Sequence, residues 1–305
     1  MKELIEKYLR YLSIERNASE HTITSYNNDL NQLLRFASAE LEADASSLDI
    51  NRIDRLTIRL WLGALSEDGM TKTTIARKVA SLRSFFKYCF KRGHIQKNPA
   101  HLLIVPKKEK RLPKTVLLED IQRMMDLSEG DEPTIVQDRA ILELFYSTGI
   151  RLSELTDINI RDIDLQNQQL IVRGKGNKER IVPLGKPAVT ACSRHLKTRK
   201  ELPGYSDNSH DINALFIAPR GGRINHRKIQ RIIRNYILRV SEITQKSPHI
   251  LRHSFATHML DAGADIRLIK EFLGHTNLSS TQVYTHTSVE HLKKVYTKAH
   301  PRAEL

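Results

Sequence analysis

Residues 248–285 read P-H-I-L-R-H-S-F-A-T-H-M-L-D-A-G-A-D-I-R-L-I-K-E-F-L-G-H-T-N-L-S-S-T-Q-V-Y-T. Pro248 presets a helical φ at the entry, and Leu251, Phe255, Met259 and Leu260 recur at helical spacing. Gly263 is the predicted stop. A second amphipathic run, Ile266, Ile269, Phe272 and Leu273, is predicted to end at Gly274. His249 and Arg252 then stand three apart on the face of the first helix that the apolar residues leave free. His275 follows the second helix directly, and Tyr284 lies beyond a Ser/Thr-rich connection.

One Tyr, two His and an Arg in this order suit phosphoryl transfer without a metal. Attack on a phosphodiester spreads negative charge over its non-bridging oxygens, where guanidinium and imidazole N–H groups stabilise it. A phenol with a pKa of about 10 needs a proton acceptor or a cationic field to attack at neutral pH, and it then stores the bond as a phosphotyrosine. His249 and His253 also have the i, i+4 spacing of a zinc-binding helix. The residues between them are I-L-R, and an Arg between two ligands repels a cation, so no metal is expected. His253 is read instead as a donor to a nearby carbonyl or as packing. Tyr296 and Tyr146 are rival phenols, but each lies on an apolar stripe and reads as core.

H-I-L-R-H-S-F-A-T-H, L-G-H and V-Y-T-H together resemble the tyrosine site-specific recombinases of the phage integrase family, most closely the bacterial Xer type. Two upstream stretches extend the resemblance over nearly the whole chain: Y-S-T-G-I-R-L-S-E-L supplies Arg151, and V-R-G-K-G-N-K-E-R-I-V-P-L supplies Lys175. The implied catalytic set is Arg151, Lys175, His249, Arg252, His275 and the nucleophile Tyr284. The implied fold is mainly α. A helical, SAM-like core-binding bundle precedes an α-rich catalytic domain with a small β-hairpin, and the two close on DNA as a C-shaped clamp. Residues 1–105 are assigned to the first domain, 106–113 to a linker, and 114–305 to the second with its C-terminal interaction helix.

Composition agrees with a polyanion as partner. The 305 residues carry 49 Lys and Arg against 35 Asp and Glu, a net charge of +14. Cations contacting DNA release condensed counterions, which drives binding, but an RNA binder or a ribosomal protein would carry a similar excess. No apolar run approaches the ~20 residues of a membrane span. M-K-E-L-I-E-K-Y-L has an amphipathic helical period with acids, unlike a signal peptide. Cys89 and Cys192 are read as reduced thiols of a cytoplasmic protein.

Along the first domain, four helices are predicted. Leu4, Ile5, Tyr8, Leu9 and Leu12 stripe the first. Ser19 caps the second, with Ile23, Tyr26, Leu30, Leu33 and Leu34 inside. Ile53–Leu65 forms the third around Trp61. In the fourth, Thr71–Phe90, the inward residues are Ile75, Val79, Leu82, Phe86 and Phe90. Lys72, Thr73, Thr74, Arg77, Lys78 and Arg83 are expected to point away, either as a solvated face or as a face laid in the major groove. The resemblance favours the groove, with Lys72, Thr73, Arg77 and Lys78 as contacts.

V-P-K-K-E-K-R-L-P-K, between two prolines, has no apolar period and reads as linker. Helices are then expected at Glu119–Leu127 and at Asp138–Thr148, the latter ended by Gly149. Glu154 is placed to orient Arg151 or its neighbours. Leu170 and Val172 alternate, Ile181 follows beyond the bend, and G-K-G-N-K supplies the turn of a hairpin over 169–184. The resemblance gives its Lys175 the role of acid for the leaving 5′ oxygen. Lys178 is the rival in the same turn, and the G-K-G frame favours Lys175. A basic helix over 186–202 and a short strand at 215–217 precede R-G-G-R-I-N-H-R-K-I, where Arg223 and Arg227 are expected DNA contacts near a helix start.

After Tyr284, Val289, Leu292, Val295, Tyr296 and Ala299 share one helix face. They close the helix on its own core or, as the resemblance implies, dock it into a neighbouring protomer. The implied activity is cleavage and rejoining of DNA through a 3′-phosphotyrosine, without metal, ATP or other cofactor. The implied partners are a dif-like duplex, a homo- or hetero-tetramer with a sister recombinase, and an FtsK-type translocase in chromosome dimer resolution at cell division. A mobile-element integrase, a type IB topoisomerase and a non-catalytic DNA-binding protein of the same fold are the alternatives.

Overall fold

The computed structural model describes residues 1–103, 115–174, 179–243, 246–274 and 286–303. The linker expected at 106–113 lies outside them, as do Lys175, Lys178, His275 and Tyr284. The chain forms two compact units, Met1–Arg111 and Leu112–Leu305. Among the described residues no helix is long and apolar enough to cross a membrane.

The first unit holds α1 (Lys2–Ile14), α2 (Glu20–Glu40), α3 (Arg55–Glu67) and α4 (Lys72–Lys91). Three starts are fixed by side-chain caps. Ser19, Asp54 and Thr71 each accept the backbone N–H three residues on, at 3.3, 2.8 and 3.2 Å. Such caps satisfy donors the helix cannot, each contributing about 1 kcal/mol. Asp54, rather than Ile53, thus marks the start of α3. Trp61 and Tyr8 are fully buried, and the Tyr8 hydroxyl lies 2.6 Å from Ser84 Oγ.

Two expectations for α4 are corrected. Phe90 is half exposed and Phe85 takes its place in the core. Lys78 does not point away: it is buried, and its Nζ donates to Asp29 Oδ1 at 3.0 Å and to Gln32. Asp29 of α2, itself fully buried, also receives the Arg77 guanidinium. The physical reason is the carboxylate. Buried without a cation it would be costly, and the consecutive Arg77 and Lys78 of α4 supply its neutralisation. Arg77 keeps 44% of its side-chain surface exposed, so only Lys78 is lost to the outer face.

The second unit is organised on α6 (Pro133–Thr148), buried nearly all round from Val136 to Thr148. Pro133 at the first turn starts it five residues earlier than Asp138, a position where the missing N–H costs nothing. Around it lie α5 (Leu118–Asp126), α7 (Leu152–Asp157), α8 (Lys186–Thr198), α9 (His226–Val240), α10 (Pro248–Asp261), α11 (Ile266–Phe272) and α12 (His286–Ala299). A three-stranded antiparallel sheet, β1 (Ile163–Asp164), β2 (Gln169–Arg173) and β3 (Glu179–Pro183), covers one side.

The hairpin pairs Leu170 with Val182 and Val172 with Arg180. Directly opposed residues share a face, so Leu170, Val172, Arg180 and Val182 point inward. Ile181 therefore faces the other way and is only half-buried. An arginine occupies the inward position instead. On α10 and α11, Leu260 and Ile266 prove exposed, while Leu251, Phe255, Met259, Ile269 and Phe272 form the core face.

The last helix closes its own domain in this structure. Leu292, Tyr296 and Ala299 are buried, and α12 packs on β3. The Tyr296 hydroxyl lies 2.6 Å from Ser147 Oγ of α6, and burial pushes its phenol pKa up. Tyr146 is likewise fully buried. Both rival phenols are core.

Candidate active site

Gly149 sets the site in place. It ends α6 with φ 56°, a left-handed conformation that glycine adopts without strain. A Cβ there would lie 2.3 Å from Phe255 Cδ1, so the turn rests directly on the ring of α10. The chain leaves this turn at Arg151, which caps α7. The Arg151 backbone N–H donates to Glu154 Oε2 at 2.7 Å, and its Nη1 donates to Glu154 Oε1 at 2.9 Å. Glu154 thus holds both ends of Arg151, as its position three residues on suggested.

Arg252, one turn into α10 and on the same helix as the exposed His249, points at the same region. Its Nη1 donates to the Gly149 carbonyl at 2.6 Å and its Nη2 to the Leu273 carbonyl at 2.7 Å. Arg151 Nη2 donates to the next carbonyl, Gly274, at 2.8 Å. The last carbonyls of α11 have no partner within the helix, and its negative end favours cations. Two guanidinium groups distant in sequence are thereby gathered at one helix end. Each has five N–H donors, so donors remain for an anion.

A third arginine completes the end. Arg180 Nε donates to the Phe272 carbonyl at 3.2 Å, and its Nη1 and Nη2 fork onto Glu154 at 2.9 and 2.8 Å. Phe272, Leu273 and Gly274 therefore present three successive carbonyls to Arg180, Arg252 and Arg151. Sequence reasoning passed over Arg180. Only the observed register reveals it: Arg180 stands across from Val172, at an inward position where a charge must be partnered.

The electrostatics follow. Burial lowers the Arg252 pKa to about 10, and repulsion from Arg151 and Arg180 adds to this against the attraction of Glu154. Burial alone would raise the Glu154 carboxyl, but the hydrogen bonds and charges of Arg180 and Arg151 prevail and hold it at about 2. Arg252 remains charged at neutral pH. Three guanidinium groups against one carboxylate leave an excess of two positive charges among these four side chains. An anion placed there would relieve that repulsion.

The structure thus brings Arg151 and Arg252 together and sets His249 on the Arg252 helix; Lys175, His275 and Tyr284 fall outside the described residues. Of the expected DNA contacts in this unit, Arg227 is exposed in the first turn of α9. Arg223 is engaged within its own unit. Its guanidinium donates to the carbonyls of Thr156 and Ile158 and to Asn159 Oδ1, at 2.9, 3.0 and 2.7 Å. It precedes the helix cap, Asn225, and is spent on joining two loops of its own chain.

Known proteins share this organisation. Residues 114–291 match the Phage integrase family, and residues 5–93 match the Phage integrase N-terminal SAM-like domain. A tyrosine recombinase XerC of Thermodesulfovibrio yellowstonii is 41% identical over 297 residues, covering 97% of this chain and 96% of the relative. A tyrosine recombinase XerC of Syntrophus aciditrophicus is 43% identical over 313 aligned residues, covering 99% of each. The crystal structure of the XerH site-specific recombinase bound to its difH substrate has the same fold, with a TM-score of 0.65 at 23% identity. That match covers 95% of this chain and 82% of the other. The chain belongs to the tyrosine recombinases of the phage integrase family, of the Xer type, enzymes that cleave and rejoin DNA.

Proposed function

We propose that this protein is a site-specific recombinase that works through a 3′-phosphotyrosine at Tyr284 and resolves chromosome dimers at cell division in the cytoplasm. The observation that carries the reading is the gathering of Arg151 and Arg252 on the carbonyls of Leu273 and Gly274. A pair of guanidinium groups held by a helix end, with donors to spare, suits the equatorial oxygens of a phosphodiester in its transition state.

In this reading Arg151, Arg252 and His275 hold the scissile phosphate, and His249 accepts a proton or donates to phosphate. The Tyr284 oxygen attacks phosphorus, the bond to the 5′ oxygen breaks, and Lys175 protonates that oxygen. The free 5′ hydroxyl of the partner strand reverses the step on the other duplex. The bond energy stays in the enzyme–DNA link, so neither ATP nor a metal enters.

The first domain, residues 1–105, binds the core of the site with the outer face of α4. Residues 106–113 link it to the catalytic unit, 114–305. Four protomers, all of this chain or shared with a sister recombinase, act on two dif-like sites under an FtsK-type translocase. α12 is the segment available for exchange between them. The names of the XerC relatives support the recombinase part of this assignment.

Covalent trapping tests it. A nicked duplex carrying a candidate chromosome-dimer-resolution site is incubated with the native protein and with Tyr284→Phe, in EDTA. A 3′-linked adduct formed by the native protein and lost in the variant is the expected result. Tight binding without an adduct, with or without a sister recombinase, overturns it in favour of a DNA-binding protein of the same fold.

A further inference from the structure

Arg180 is a buried charge that the cleavage reaction, as set out above, does not use. Its side chain is 9% exposed and its Glu154 partner 4%. Replacing a buried ion pair with apolar residues of similar volume often leaves a fold equally stable, so stability alone is a weak reason for this pair. Its connections suggest another. Both Glu154 oxygens are shared: Oε1 accepts from Arg151 Nη1 and Arg180 Nη1, and Oε2 from the Arg151 backbone N–H and Arg180 Nη2. Gly274 gives the two guanidinium groups room. A Cβ there would lie 3.1 Å from Arg180 Cζ and 3.3 Å from Arg151 Nη1.

The ends of the hairpin strands have a separate clamp. Arg173 Nε donates to Glu179 Oε1 at 2.9 Å, and Arg173 Nη1 donates to Asp162 Oδ1 at 2.8 Å. Every side-chain bond described for Arg180 instead runs toward Glu154 or the α11 turn. We propose that Arg180 is a positioning residue for strand cleavage. Through the shared Glu154 carboxylate it fixes the Arg151 guanidinium, and through the Phe272 carbonyl it fixes the turn that Arg151 and Arg252 hold. The inference rests on the reading that Arg151 binds the scissile phosphate. A lysine cannot reproduce the fork, since an ammonium is a point charge without a planar pair of donors.

The test is the single-turnover rate of adduct formation on the nicked duplex used above, at saturating protein. Arg180→Lys is expected to lower this rate about 10–100-fold, the usual cost of losing an orienting partner. Affinity for the same duplex stays at the native value. In an Arg151→Lys background the Arg180→Lys change costs nothing more, because the two act as one unit. With sulfur in place of the 5′ bridging oxygen, a leaving group that needs no acid, the Arg180→Lys defect persists.

A native rate for Arg180→Lys overturns the inference, as do losses that simply add in the double variant. Recovery on the sulfur-bridged duplex overturns it too, since Arg180 would then serve leaving-group protonation. If Arg180→Lys fails to fold, Glu154→Gln takes the same three measurements, because it keeps the side-chain shape and removes the shared charge. A native protein that forms no adduct sinks the functional reading itself and this inference with it.

Discussion

Arg252 donates to the backbone carbonyl of Gly149 at 2.6 Å, joining the helix that carries one candidate phosphate ligand to the turn that leads into the other. The bond exists because Gly149 takes a left-handed φ and presses against Phe255, only three residues beyond Arg252 on α10. Arg151 and Arg252 are therefore set by one turn rather than by two independent loops.

Gly149→Ala is expected to damage stability and site together. Forcing an L-residue into the left-handed region costs about 1–2 kcal/mol, and the new Cβ must also displace the Phe255 ring. Gly63, in the middle of α3, is the control: it has open space and no positive φ. Gly63→Ala should stabilise by about 0.5–1 kcal/mol. Urea denaturation of the two variants checks both signs.

Glu154 predicts an acid dependence. Its folded pKa of about 2 lies below the ordinary 4.5, so ionised Glu154 contributes stability that is fully present above pH 4.5. As pH falls from 4.5 toward 2, the unfolded chain takes up the proton first and that contribution is lost. Glu154→Gln should therefore be less stable than the native protein at pH 7, and the gap should narrow below pH 4.5. Denaturant titrations between pH 7 and pH 3 measure it. A gap independent of pH would count against the charged pairing.

Much of this was legible before any coordinates. The cap at Ser19, the glycine stops at Gly149 and Gly274, and the pairing of Glu154 with Arg151 all follow from local chemistry at short spacing. What stayed hidden was long-range. Lys78 looks like any surface lysine until Asp29, on another helix, is seen beneath it. Arg223 beside a helix start reads as a phosphate ligand until the carbonyls of a distant loop take its donors. Arg180 is hidden by the hairpin register, which decides whether it or Ile181 turns inward. A period of two leaves that choice open when the turn length is unknown.

These corrections separate the basic residues by measurement. Each cation that neutralises a DNA phosphate adds about 0.9 to the slope of log affinity against log salt. Arg227→Ala should lower that slope by about this amount and weaken binding to all duplexes alike. Arg223→Ala and Lys78→Ala should leave the slope at its native value and lower the unfolding midpoint instead. A slope change for either would mean that its internal bonds are given up on DNA.

The C-terminal segment offers the last contrast. Arg302 is buried against Glu143 of α6, with Nη2 2.6 Å from Oε1, and Nη1 also reaches Gln122. Glu143 has a second cation, Arg139, at 2.8 Å. Removing one member of a buried pair typically costs about 3–5 kcal/mol, because a charge is stranded in the core. Here Arg139 remains to compensate, so Arg302→Met should fall at or below the lower end of that range. Adding Glu143→Leu should recover part of the loss, since no buried carboxylate is then left; Arg139 keeps its Met125 carbonyl and its partial exposure. Urea unfolding of the single and double variants gives the coupling directly. If the double variant proves less stable than the sum of the single losses, the Glu143 carboxylate has a further structural partner. Partial recovery would place the cost of Arg302→Met in the stranded Glu143 charge rather than in lost packing.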